Sequence, residues 1–301
     1  MKEIIVTNKY DKKLVYNVIK KEFPHLNLAS LNKAFRTKDI KVNDKRIGKT
    51  FIVTTGDVIK VYIQDKILHG ISGNINYAYE DDNILVAYKL KGIESNFETG
   101  IRNENTLFFD ELVKKEKGNV KICHRLDTNT EGLIIFSKND KAYNEIISAF
   151  KENLITKEYI ALVYSKPIKK SDTLKNYIIK DSKANFSKIY DQKVNGSKEC
   201  ISEYSLYEYI KDKNVSIITI KIHTGRTHQI RAQMKHLGTP VIGDPKYSTN
   251  EINDKFKLYS QVLYAAKYTF NFSKSSPLHY LNNTIISIQD EVIKKIYNLI
   301  K

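Results

Sequence analysis

The 301-residue chain carries a formal charge of +16 and 41% hydrophobic residues, so it is globular and long enough for one large domain or a large and a small one. Its excess of Lys and Arg points to a polyanion, nucleic acid before an anionic membrane, because the lysines are spread out rather than gathered on one amphipathic helix. A Lys-rich compositional bias would produce the same charge. Two cysteines, Cys123 and Cys200, build neither a disulfide framework nor a metal pattern. With no apolar core of secretory length in "MKEIIVTNKYDKK" and no membrane-length apolar run later, a cytoplasmic location is expected.

The first 65 residues read as a compact unit. In "LVYNVIKKEF", Leu14, Val15, Val18, Ile19 and Phe23 recur at helical period. In "NLASLNKAFRTKD", Asn27 is placed to cap a second helix, with Leu28, Leu31 and Phe35 on one face and Lys33 and Arg36 on the other. "IKVNDKRIGKTFIVTTGDVIKVYI" alternates like short strands, with turns at Asn43-Asp44 and Gly56-Asp57. Lys38, Lys41, Lys45, Arg46 and Lys49 crowd the second helix and the first turn; with Lys33 and Arg36 they suggest a phosphate-binding surface, though any one of them suits a solvated face. Residues 11–63 resemble the small RNA-binding module named after ribosomal small-subunit protein four. Residues 66–76, polar and Gly-containing, suit a linker. Residues 77–301 read as one mixed α and β domain, with strands expected at "ILVAYKL", "GLIIFSK", "YIALVYS" and "VSIITIKI" and helices at "DKAYNEIISAFKEN" and "QDEVIKKIYNLIK".

The stretch "ICHRLDTNTEGLIIFSK" places an acid, Asp127, in a Thr/Asn-rich loop before an apolar run. If the chain is extended there, Arg125 and Asp127 face one side, His124 and Leu126 the other. An Asx turn or a cap at a strand entrance is the commoner use of such an Asp; a carboxylate kept ionised by a cation is the alternative. In "IHTGRTHQIRAQMKHLGTPVIGDPKY", Thr227 can cap a helix that buries Ile230, Met234 and Leu237 and stops at Gly238. Arg226 lies at its mouth and Arg231 within it. Arg226 can serve a surface phosphate, or it can pair with Asp127. His223, His228 and His236 lack a carboxylate at ligand spacing, so core or tautomer-fixed roles are expected and no metal.

Three stretches in order, "HRLDTNTEGLIIFSK", "KEYIALVYS" and "HTGRTHQIRAQMKHLGTPVIGDPKY", resemble the motifs of RluA-type pseudouridine synthases, and "YEDDNILVAYKLKGI" is similar to that family's entry strand. The resemblance implies an α+β pseudouridine synthase fold, a mixed, largely antiparallel sheet flanked by helices behind the small N-terminal α/β RNA-binding module. It implies conversion of uridine to pseudouridine in structured RNA without metal or cofactor, with large-subunit ribosomal RNA favoured over transfer RNA. Asp127 would be the nucleophile, Tyr159 would stack on the target uracil and Arg226 would pair with Asp127. Arg125 would enter the helical stack, while Lys33, Arg36, Lys38, Lys45, Arg46 and Arg231 would contact RNA. The expected partner is RNA, not DNA or a membrane, met by a monomer; a non-catalytic RNA-binding or ribosome-assembly factor on the same fold is the competing expectation. The chain departs from the pattern at Glu131, where Ser or Thr is usual, at Leu90 in place of a proline, and at Tyr264 in place of a histidine.

Overall fold

The computed structural model describes residues 2–23, 26, 28–63, 75–95, 109–181 and 184–301. The chain forms two compact units, Met1–Ile75 with Phe97–Leu112, and Asn76–Asn96 with Val113–Lys301. Most of the expected linker, like the Asn27 cap, lies outside the described residues.

In the first unit, strands β1 (Lys2–Ile5), β3 (Ile40–Val42), β4 (Lys45–Arg46) and β6 (Val58–Val61) form an antiparallel sheet in the order β1-β6-β3-β4, while β2 (Lys13–Leu14) pairs with β5 (Ile52–Val53). Helix Val15–Glu22 buries Val15, Val18 and Ile19, which meet Phe23, Leu31, Ile40 and Ile59 in one core. Leu14, expected on the helix face, instead belongs to β2 and is exposed, because the helix begins one residue later. The β3–β4 hairpin turns at Asn43 and Asp44, both at positive φ (48° and 63°), the conformation that a two-residue hairpin with matching twist requires. Arg36, Lys38, Lys45 and Arg46 are exposed; Lys33 lies in the helix Leu28–Arg36, its side chain outside the described residues.

The second unit is built on an 11-stranded sheet. Its strands are β7 (Tyr77–Glu80), β8 (Ile84–Lys89), β9 (Lys121–Ile122), β10 (Glu131–Ser137), β11 (Ile155–Tyr164), β12 (Ser171–Asp181), β13 (Phe186–Tyr190), β14 (Lys198–Ile210), β15 (Val215–Ile222), β16 (Leu263–Phe270) and β17 (Ile285–Ser287). The order is β13-β12-β14-β15-β11-β16-β10-β8-β7, with β17 on β16 and β9 on β10; the described pairings are antiparallel except β10 with β16. All seven residues of β10 are buried, as a central strand covered on both faces demands. The helix Asp140–Lys151 packs Ala142, Ile146 and Ala149 against Ile84, Val86, Leu133 and Ile135. The helix Gln289–Leu299 packs Val292 and Ile296 against Ile160, Leu162, Tyr264 and Ala266. The four strands and two helices expected here are present; β12, β13 and β14, whose faces are half exposed and polar, carry a weaker alternation and went unread. No described helix is long and apolar enough to cross a membrane.

Gly132 marks a close backbone approach in the sheet. Its φ is +119°, and a Cβ there would stand 2.2 Å from the carbonyl oxygen of Ala265, at the short parallel contact of β10 with β16. Gly132→Ala is therefore expected to cost on the order of 3 kcal/mol, read as a lower urea midpoint at unchanged slope.

Candidate active site

Asp127 sits in the loop between β9 and β10, which three sets of contacts hold. Ser95, itself buried, accepts from the Leu126 N–H and donates to the Leu126 carbonyl, both at 2.8 Å. The Thr130 N–H closes a turn on the Asp127 carbonyl at 3.0 Å. The ammonium of Lys89, with no solvent exposure, donates to the carbonyls of Leu90 (3.1 Å), Ile93 (2.8 Å) and Thr128 (3.0 Å). Leu126 points inward and Arg125 outward, so the alternation read from the sequence holds across this loop.

The cation at Asp127 is Arg231, not Arg226. Arg231 lies on the helix Gln229–His236 with its side chain only 5% exposed, and its Nη1 donates to Asp127 Oδ2 at 2.9 Å. Its Nε and Nη2 donate to the two carboxylate oxygens of Asp244 at 2.6 and 2.9 Å. The Asp244 side chain, fully buried, also accepts from the N–H groups of Lys246 and Tyr247. A planar guanidinium offers a fixed fork of donors, so clamping two positions on Asp244 aims the third at Asp127. Burial alone would lower the Arg231 pKa, but hydrogen bonding and charge pairing, first with Asp244 and then with Asp127, push it above its ordinary range. The expectations for these two arginines are thereby corrected. Arg226 is exposed and its Nε donates to the Glu199 carbonyl at 3.0 Å, because the turn before the helix directs it away from the loop that carries Asp127. Arg231, expected as an RNA contact, is buried between two carboxylates.

The cap of this helix also differs from expectation. His228, not Thr227, is the N-cap, in a left-handed conformation (φ 57°), and Gly238 ends the helix at φ +82°. The turn is organised by Gln229, whose Oε1 accepts from the Arg226 N–H and the Thr224 hydroxyl while its Nε2 donates to the Ile201 carbonyl and the Ser202 hydroxyl. His228 Nε2 lies 3.9 Å from Asp127 Oδ2, and its Nδ1 is 3.1 Å from the Tyr247 hydroxyl. Burial lowers the His228 pKa against the raising effect of Asp127.

Tyr159, on β11, is 7% exposed; burial and then the charge of Asp127 raise its phenol pKa. Two residues before it, Lys157 is brought down to about 8 by burial and lies 4.5 Å from the Phe150 ring centre. His124 is half-buried, and its pKa falls to about 3 through desolvation and then repulsion from Lys157. The Ile135 N–H donates to His124 Nε2 at 3.1 Å, which places the neutral ring's proton on Nδ1. His223 and His236 pair with Glu203 and Asp191, and the described residues hold no cluster of metal-ligating side chains.

Lys89, Ser95, Asp244 and Tyr247 were not singled out from the sequence. Lys89 and Asp244 left a trace: each is a charge set within an apolar run, "ILVAYK" and "PVIGD", where burial requires a partner. Two departures from the family pattern prove to be neighbours, since Glu131 and Tyr264 are register partners on β10 and β16. Glu131, 5% exposed, accepts from Lys295 at 2.5 Å and from the Tyr88 hydroxyl at 2.9 Å, while the Lys295 ammonium lies 5.1 Å from the Tyr264 ring centre. A buried acid is thereby balanced by a cation from the helix Gln289–Leu299.

A loop built around an acid, a buried arginine and a buried tyrosine, on a large mixed sheet, defines a site for base or nucleophilic chemistry on a substrate that must reach a half-exposed carboxylate. The sequence signature of RNA pseudouridylate synthases matches residues 83–236. A Rickettsia bellii protein named ribosomal large subunit pseudouridine synthase C is 33% identical over 267 residues, covering 82% of this chain and 85% of its own length. A Mycoplasma capricolum protein named as an uncharacterized RNA pseudouridine synthase is 30% identical, covering 95% of this chain and 97% of its own. The yeast mitochondrial tRNA pseudouridine(32) synthase is 30% identical over 80% of this chain and 52% of its own length. The human structure titled RNA Pseudouridylate Synthase Domain Containing 1 shares the fold, with a TM-score of 0.54 at 22% identity over 74% of this chain and 95% of that one. The chain belongs to the RNA pseudouridine synthase family and is an enzyme of that class.

Two outcomes are expected at this site. Arg231→Met leaves Asp244 buried without its cation and should destabilise the fold by about 3–5 kcal/mol, measured by urea unfolding. Burial lowers Lys89 to about 7 against the raising charges of Glu131, Asp127 and Glu94. Because this folded value lies below that of the unfolded chain, unfolding takes up a proton between pH about 7 and about 10. The cost of burying the charged form is thus fully present below pH 7 and fades as pH rises through that window, so stability from this site increases. Urea midpoints across that range should rise more steeply in wild type than in Lys89→Met, where only the similar but smaller contribution of Lys157 remains.

Proposed function

We propose that the enzyme isomerises uridine in large-subunit ribosomal RNA and that Asp127 is its essential catalytic group. The observation that carries this is the Asp127 carboxylate, 26% exposed and held by a buried guanidinium at 2.9 Å, within a loop whose backbone Lys89 and Ser95 pin. The names of the Rickettsia relatives support ribosomal RNA as the substrate.

The reaction breaks the bond from C1′ to N1, turns the uracil and joins C1′ to C5, with the C5 proton lost and N1 protonated, so atoms balance without a co-substrate. An ionised carboxylate serves by attack on the sugar or the base, or by removing a sugar proton. Arg231 aims it. The target must leave its helix at a cost of a few kcal/mol, and stacking on Tyr159 returns about 1–3 kcal/mol. Arg125, exposed beside Asp127, fills the vacated space. In this reading the first unit, with Arg36, Lys38, Lys45 and Arg46 exposed, is an RNA-binding module that docks the substrate.

Pseudouridine mapping in ribosomal and transfer RNA from cells lacking the protein, complemented with wild type or Asp127→Asn, is the test. One ribosomal site should vanish and return only with wild type. A transfer RNA site behaving so would replace the substrate, and persistence of every site would overturn the activity. Lys45→Gln with Arg46→Gln should flatten the dependence of log affinity on log salt by about two, checked by filter binding.

A further inference from the structure

Arg226 does not serve Asp127; it faces a cavity. This half-open pocket of about 350 Å³ lies where β12, β13 and β14 meet the turn before the helix Gln229–His236, a volume at the lower end for small-ligand sites. Its rim carries Lys180, Lys198 and Arg226, each from a different element, and no acidic side chain is among the described residues that line it. Ile178, on the same face of the sheet as Lys180 and Lys198, gives it an apolar wall, and Ser187 lines it with 1% exposure. Gly225 keeps the wall thin: a Cβ there would lie 4.0 Å from the ammonium of Lys157, a half-buried fourth cation behind the pocket.

The cavity is connected to Asp127 through a short chain of contacts. The Ser187 hydroxyl donates to the Thr227 carbonyl at 2.9 Å, and its N–H donates to the Tyr247 hydroxyl at 2.6 Å. Tyr247 in turn meets His228, which stands 3.9 Å from Asp127. One phenol and one imidazole therefore separate pocket from carboxylate.

We infer that this pocket binds a phosphodiester of the RNA strand near the target uridine, with the phosphate among Lys180, Lys198 and Arg226 and its ribose against Ile178. Three cations with no carboxylate among the described lining residues select an anion, and the apolar wall suits the sugar attached to it. The inference rests on the proposed RNA substrate and adds a second anchoring point to it, so that the uridine is held at Asp127 from its own backbone.

The test uses the full chain and an unmodified transcript of the large-subunit ribosomal RNA of the source organism. Lys180→Gln with Lys198→Gln should weaken binding about tenfold at low salt and make the slope of log affinity against log salt shallower by about two. KM should rise in step, and Lys180→Arg with Lys198→Arg should restore both. Lys170→Gln, outside the cavity, is the control for loss of net charge. Unchanged affinity, slope and KM in the Gln pair, or an equal loss in Lys170→Gln, would overturn the pocket. So would relief of binding by millimolar inorganic phosphate in the Gln pair as strongly as in wild type, since the anion would then bind elsewhere. A wild type that binds the transcript but forms no pseudouridine would sink the activity while leaving the pocket readable from the salt slopes.

Discussion

One guanidinium organises the candidate site. Arg231 is buried, and a buried charge is tolerated only when its donors are matched. Asp244 takes two of those donors and is itself held by backbone N–H groups, so the plane of the guanidinium is set before Asp127 is considered. Asp127 then meets a cation that cannot turn away. The carboxylate is thereby aimed without being buried: it keeps 26% exposure while its partner keeps 5%.

The surrounding polar groups share this economy of matched partners. Lys89 brings three N–H donors to three carbonyls around the loop, and Ser95 closes both backbone groups of Leu126. Gln229 and Gln233 tie the helix that bears Arg231 to β12 and β14 through Ser202, Asn176 and the Ile201 carbonyl. An acid, its cation and the loop between them are thus fastened to different strands of one sheet. Rigid support of that kind is what the catalytic role proposed for Asp127 needs, since a carboxylate free to wander would lose aligned geometry.

The departures from the family pattern fall into a coherent place. Glu131 enters the core at the head of β10, where it adds a buried charge directly after the Asp127 turn. Lys295 and Tyr88 satisfy it, and Tyr264 supplies a ring near the same ammonium. Changes that look independent along the chain are coupled in space, which ties the last helix to the start of the central strand. Arg226 illustrates the opposite case. It sits inside a recognisable motif beside a helix, yet the left-handed residue His228 and the Gln229 contacts direct that turn toward the β12–β14 edge and away from Asp127.

Read alone, the chain already determined much of this protein. Periodicity located the helices Asp140–Lys151 and Gln289–Leu299 and the buried strands β8, β10, β11 and β15, since long apolar runs leave a strong local pattern. Ordered motifs singled out the loop of Asp127 and pointed to the family. Strands β12 to β14 escaped because their half-exposed faces weaken the alternation on which that reading depends. Which arginine meets Asp127 was decided only by tertiary structure. Residues 226 and 231 are both within reach along the sequence, and what separates them is the helix axis, the turn at His228 and the buried Asp244, none of which is a local property. Lys89 is legible as an oddity in an apolar strand, but its three carbonyl partners come from two separate loops, and only the folded sheet brings those together.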